Sequence, residues 1–347
     1  MSAYAQELKN TAQAMVSNGQ GILAMDESNG TCNKRFDKVG IPTSEEMRRS
    51  YRELILTTPN VGNYISGAIL YDETIRQSTK DGKPFTQVMK DQDVIIGIKV
   101  DTGAKDLAKF PGEKVTEGLT GLRDRLSEYY KMGARFSKWR AVITIGDGIP
   151  TQFCIDANAH ALARYAALCQ ENGLVPIVEP EVLINGDHTI EQCYDVTNQT
   201  LWTVFDQLHR HRVEFDKMVL KPSMVISGLD CPQQASPKQV AEWTIKCLRK
   251  SVPADVAGIA FLSGGQTPEQ AAEHLHWMNS EPLKSQCPWP VTFSYARAIQ
   301  QPALENWKGQ ESNAGEAQKL LHHRAKMNSV ASQGQYSSDK EKEPAMA

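Results

Sequence analysis

The run "MVLKPSM" (218–224) places Lys221 at the inner end of an apolar stretch. Alone, this segment reads as a snorkelling lysine, its stem on the core edge and its ammonium in water. Other apolar runs end the same way. "GILAMDES" (21–28) closes on Asp26-Glu27, "VIIGIKVD" (94–101) carries Lys99, and "FSKWRAVI" (136–143) carries Lys138 and Arg140. "LVPIVEPEV" (174–182) carries Glu179 and Glu181, "GIAFLSGG" (258–265) ends in Ser263-Gly264-Gly265, and "PVTFSYAR" (290–297) reaches Arg297. Buried charge is costly unless paired, so charge recurring at these ends marks an active site.

The residue types narrow the chemistry. A lysine amine is a nucleophile only when neutral, a state that desolvation or a neighbouring cation promotes. Lys221 would have both, with Lys138 and Arg140 across one mouth. Such an amine attacks a ketone to give a Schiff base, whose iminium draws electrons from the adjacent carbon. Proton transfer then needs a carboxylate, and Glu179 and Asp26 are the candidates. "LSGGQTPEQ" sets two glycines before a capped helix, which leaves backbone N–H groups for an anion; Arg297, Lys99 and Arg35 are its possible partners. A further cationic cluster (Lys34, Arg35, Arg48) follows the first run, although Arg48 equally fits a solvated helix face. The eight histidines include His209/His211 and His274/His276, pairs at i,i+2 that do not share a helix face. None lies at a strand end, so the histidines read as surface or cap residues and the site as metal-free, with no cofactor.

These groups need elements to carry them. With "ISGAILYD" (65–72), eight near-continuous apolar runs alternate with segments of helical period, the pattern of parallel strands covered on both faces. Helix starts are marked at Thr43/Glu46, Ser236-Pro237 and Thr267-Pro268-Glu269-Gln270. Eight such units in 347 residues predict an α/β chain folded as a single (β/α)8 (TIM) barrel over residues 1–329. The strand ends then share one mouth. Residues 330–347, "VASQGQYSSDKEKEPAMA", are poor in apolar side chains and predict a flexible tail.

Composition excludes other classes. A net charge of −3, with no concentrated basic block, argues against nucleic acid, and no run is long enough to span a bilayer. The first twenty residues lack a basic and apolar leader and read as a surface helix. Seven dispersed cysteines predict free thiols in a reducing cytoplasm.

Together the motifs "GQGILAMDESNGTCNKR", "GIKVD", "FSKWRAVI", "NGLVPIVEPEVL", "VLKPSM", "FLSGGQ" and "FSYARA" resemble those of the class I fructose-bisphosphate aldolases, over nearly everything before the tail. The resemblance implies reversible cleavage of fructose 1,6-bisphosphate on a barrel, usually as a homotetramer, in glycolysis and gluconeogenesis. It places the Schiff-base lysine at Lys221 and the principal acid/base at Glu179, with Glu181 in support. Asp26 would handle the C4 hydroxyl proton, and Lys138 would stabilise charge beside the imine. Lys99, Arg35, Ser263, Gly264, Gly265 and Arg297 would hold phosphates, with Arg48 assisting. Two features depart from many animal and plant members: Ala296 replaces a glycine, and the chain ends "EPAMA" without a terminal tyrosine, Tyr336 lying well before the end. Two alternatives stay open: another Schiff-base barrel enzyme, such as a transaldolase, and a binding protein built on an inactive barrel.

Overall fold

A computed structural model describes residues 4–17 and 19–342. Its strands, in chain order, are β1 (Gly21–Ala24), β2 (Ile65–Leu70), β3 (Ile95–Lys99), β4 (Gly103–Asp106), β5 (Lys114–Glu117), β6 (Phe136–Ile143), β7 (Val175–Val182), β8 (Val219–Leu220), β9 (Gly258–Phe261) and β10 (Val291–Tyr295). Eight of them close a parallel barrel in the order β1-β10-β9-β8-β7-β6-β3-β2, the expected TIM architecture. Each expected run contributes one barrel strand. The β4–β5 antiparallel hairpin was not expected from the sequence, because its first strand is largely exposed and carries no apolar alternation.

Side-chain alternation divides the barrel strands between two cores. Leu23, Ala68, Ile98, Trp139, Val178 and Leu220 face outward into the layer of helices. Ile22, Ile69, Phe136, Ile177, Val219 and Ala260 face inward, and Leu8, Ala12 and Met15 of helix Ala5–Met15 join them from below. That helix is therefore a plug on the barrel floor and not the surface element its polar composition implied. Its apolar residues recur at i, i+4 and i+7, which builds one apolar face. The Phe136 ring fills the interior where strands carry no side chain: a Cβ on Gly97 would lie 2.2 Å from it and one on Gly67 2.9 Å.

Helix starts follow side-chain capping. Ser236 and Thr267 each form a full capping box, with Gln239 and Gln270. Helix Glu45–Leu56 begins one residue later than expected: Ser44, not Thr43, accepts from the Met47 N–H at 3.2 Å.

The boundary expected at residue 329 falls inside helix Ala314–Ser332. Beyond it Tyr336 is buried, and its hydroxyl donates to Glu341 Oε1 at 2.8 Å. Arg324 Nη1 donates to Glu341 Oε2 at 2.6 Å, and His323 Nε2 lies 3.1 Å from the same oxygen. Over residues 330–342 the polar composition thus reflects ion pairing with the preceding helix; residues 343–347 of the expected tail lie outside the described residues. Burial raises the Glu341 pKa, but His323, Arg324 and Tyr336 outweigh it and bring it down to about 2.

Two predictions follow from these contacts. Gly97→Ala should cost roughly 1–3 kcal/mol in urea unfolding through overpacking against Phe136. Gly30→Ala, in a helix with open space around it, should stay within about 1 kcal/mol of the parent. For Glu341, a folded pKa below its ordinary value of 4.5 means stabilisation present above about pH 4.5 and lost as pH falls toward 2. Glu341→Gln should therefore lower stability by about 1 kcal/mol at pH 7, discounted for partial exposure, with the difference shrinking below pH 4.5. A gap independent of pH would assign the contact to neutral hydrogen bonding.

Candidate active site

Followed strand to strand, the registers close with a slip of about eight residues, so inward side chains from alternate strands come level in layers. Ile69, Lys138, Lys221 and Ser294 share one layer. Toward the mouth the next holds Ala24, Lys99, Glu179 and Leu262, and above it stand Tyr71 and Arg140. Asp26 follows the end of β1. The period-2 alternation that packs the apolar floor thus carries the charged groups inward as well.

Lys138 lies at the centre of this arrangement. Its Nζ is 2.7 Å from Asp26 Oδ2 and 3.3 Å from Glu179 Oε2, while Lys221 Nζ is 3.3 Å from Glu179 Oε1. Asp26, Lys138, Glu179 and Lys221 are all buried. Burial pushes the Asp26 pKa up, but Lys138 and Lys221 reverse this and hold it at about 2. Burial pushes Lys138 down, and Asp26 and Glu179 overcome it, so its pKa stands above the ordinary lysine value. One ammonium is therefore fixed between two carboxylates, with a second amine on Glu179. Nearer the mouth, Lys99 Nζ donates to Asp101 Oδ1 at 2.6 Å, and Arg140 pairs with Glu181.

The anion groups occupy two walls. Past the end of β9, Gly264 takes φ +55°, which favours glycine, and a Cβ on Gly265 would come 3.1 Å from Ile184. The N–H groups of Ser263, Gly264 and Gly265 donate to no backbone acceptor among the described residues, and the capped helix Pro268–Met278 follows. Arg297 donates to the Gly264 carbonyl. Ala296, with φ −105°, sits outside the left-handed region, so alanine fits there without backbone strain. Arg35 is engaged by Glu27 and lies 3.2 Å from Gln301 Oε1 on this side. Arg48 is buried and donates twice to Glu73, at 2.8 and 2.7 Å, so it is a rim anchor; it meets none of the other expected site residues. Lys99 stands on the opposite wall, because β3 and β9 are diametrically placed in the barrel.

Sequence reading missed two inward polar groups. Ser294 is 1% exposed and its Oγ has no hydrogen-bond partner among the described residues. Period-2 counting along "PVTFSYAR" assigns it to the interior. Asp101 accepts from Lys99 Nζ and from the Gly103 N–H at 3.1 Å, and it was passed over as the end of "GIKVD". The surface reading of the histidines fails for three: His188, His274 and His322 are buried. In the His274/His276 and His322/His323 pairs the first ring is buried, whereas neither His209 nor His211 is; His274 Nδ1 lies 2.5 Å from Gln266 Oε1. Among the described residues no group of three or more His, Cys, Asp or Glu is placed to hold a metal ion.

The family model described as fructose-bisphosphate aldolase class-I matches residues 7–347. A probable fructose-bisphosphate aldolase class 1 of Xanthomonas campestris is 58% identical over 332 residues, covering 95% of this chain and 98% of that protein. The fructose-bisphosphate aldolase of Dictyostelium discoideum is 47% identical over 341 residues, covering 97% and 95% respectively. A solved structure of the Plasmodium falciparum fructose-bisphosphate aldolase, in complex with TRAP and a small-molecule inhibitor, is similar with TM-score 0.94 and 44% identity over 96% of both chains.

Proposed function

The chain belongs to the class I fructose-bisphosphate aldolase family, and we propose that its chemistry runs through Lys221 as the Schiff-base lysine. The enzyme is a lyase that reversibly cleaves fructose 1,6-bisphosphate to dihydroxyacetone phosphate and glyceraldehyde 3-phosphate, a step of glycolysis and, in reverse, of gluconeogenesis. The observation that carries the assignment of roles is Lys221 Nζ at 3.3 Å from Glu179, with the Lys138 ammonium on the other oxygen of that carboxylate.

Lys221 adds to the C2 carbonyl and water leaves, giving an iminium. Removing the C4 hydroxyl proton lets the C3–C4 bond break; its electrons enter the enamine and the aldehyde departs. Asp26, held at about 2 by Lys138, takes that proton only after the incoming hydroxyl displaces the ammonium. Glu179 moves protons at the carbinolamine and at C3, supported by Glu181 beside Arg140. Lys138 stabilises charge next to the imine. Ser294, in the layer of Lys221 with a free hydroxyl, donates to a substrate oxygen. Ser263, Gly264, Gly265, Arg297 and Arg35 hold the 1-phosphate, since β9 adjoins β8 and C2 is one carbon from C1. Lys99 holds the 6-phosphate on the opposite wall, four carbons away, and Arg48 assists from the rim. Two anion sites across one barrel favour a bisphosphate over the single-phosphate substrates of other Schiff-base barrels.

Assembly as a homotetramer rests on family resemblance, with sedimentation as its check. A cytoplasmic location accords with seven free cysteines, although relatives also include chloroplastic forms from Chlamydomonas and Arabidopsis, so fractionation decides it.

Borohydride added with dihydroxyacetone phosphate should inactivate the enzyme and leave the adduct on the Lys221 peptide. An adduct confined to Lys99 or Lys138 would sink this assignment. Glu179→Gln should keep the fold and slow turnover by roughly 10²–10⁴ in a coupled cleavage assay, the span of positioned proton transfer. A near-parental rate would move the role to Glu181 or Asp26.

A further inference from the structure

One aromatic side chain at the mouth has no part in the chemistry above. β2 ends at Leu70, whose register partner on β3 is Ile98, so the next step sets Tyr71 opposite Lys99. Leu70 packs into the outer core and Ile69 into the barrel interior, so alternation turns Tyr71 inward, onto the face that carries Lys99. Its backbone keeps the extended conformation that alternation requires, with φ −96° and ψ 159°. Side chains opposite one another on one face of neighbouring strands stand about 5 Å apart at Cβ.

The surroundings of the ring are fixed. Lys99 Nζ is anchored by the Asp101 carboxylate at 2.6 Å and the Asp101 carbonyl at 2.8 Å. On the other side Glu73, two residues past Tyr71, is clamped by Arg48 and accepts from Asn29 at 2.9 Å. Tyr71 itself is half-buried, and its hydroxyl bonds to no protein group among the described residues. Burial, with Asp72, Glu73 and Asp101 nearby, raises its pKa above the ordinary phenol value, so the group is a hydrogen-bond donor at neutral pH. A protonated phenol on the face that carries the anchored Lys99 ammonium, with no protein acceptor among the described residues, is free to donate to an anionic group of the ligand.

We propose that Tyr71 is a specificity-determining residue whose phenol donates to the 6-phosphate beside Lys99. The proposal rests on the reading of Lys99 as a phosphate ligand and adds the group that orients that phosphate. An ammonium is a point charge that tolerates many approaches, whereas a single O–H on a stiff ring accepts few. The effect is confined to one end of the substrate, because β2 stands three strand positions from β9, which carries the other anion site.

Steady-state cleavage of fructose 1,6-bisphosphate and fructose 1-phosphate, by the parent enzyme, Tyr71→Phe and Lys99→Met, tests this directly. For Tyr71→Phe the ratio of kcat/KM between bisphosphate and monophosphate should fall about tenfold, mostly through KM for the bisphosphate, as expected for one hydrogen bond to a charged group. Lys99→Met should lower the same ratio. If Lys99→Met lowers it and Tyr71→Phe does not, or if Tyr71→Phe harms both substrates equally, the Tyr71 proposal is overturned while the Lys99 reading stands. A Lys99→Met ratio equal to the parent's overturns both.

Discussion

The Lys138 ammonium, buried between Asp26 and Glu179, is the interaction on which the rest of the site depends. Two carboxylates in a desolvated interior cannot both stay ionised without a cation between them, and losing one partner of a buried pair costs on the order of 3–5 kcal/mol. The pairing draws together residues from β1, β6 and β7, with Lys221 from β8 as a fourth member. Only barrel closure brings those strands to a common axis. A slip of one residue in β6 would swing Lys138 and Phe136 out among the helices and turn Ser137 and Trp139 inward, emptying the charged layer and the apolar floor together.

A polarity gradient runs along single strands. β6 steps inward through Phe136, Lys138 and Arg140, and β7 through Val175, Ile177, Glu179 and Glu181. Each strand is apolar where helix Ala5–Met15 seals the barrel and charged where it opens. Desolvation is therefore graded: Lys138 is almost wholly enclosed, while the Arg140 side chain is 43% exposed. The groups proposed to react sit deep, where electrostatic interactions are strong, and Lys99 and Arg297, proposed to hold phosphate, sit nearer water.

Much of this was legible from residue order. Parallel strands buried on both faces leave apolar runs, and charges at one end of six of the eight runs disclose the mouth; Lys221, Glu179, Lys138 and Asp26 could be found that way. What stayed hidden has physical causes. Ser294 is a small hydroxyl within a strand and breaks no pattern, so only parity and register bring it level with Lys221. The floor helix and the segment through Lys342 look solvent-facing by composition. Their roles depend on where a few residues land: Leu8, Ala12 and Met15 on one face, Glu341 against Arg324 and His323. The β4–β5 hairpin is held by backbone pairing with little apolar burial, which leaves no trace in hydrophobicity. The identity of Ser44 as a cap was within reach, since Thr43 and Ser44 are both competent and the backbone chooses between them.

The plugged floor has a consequence for traffic. With the Phe136 ring over Gly67 and Gly97 and the first helix beneath it, the interior is a blind alley with one door. On the mechanism proposed above, a molecule bonded to Lys221 sits at the back of that alley. A fragment cut loose from it stands nearer the door. Departure is thus a queue set by depth: the free fragment leaves first, and the tethered one follows once water has reached the same dead end and released it.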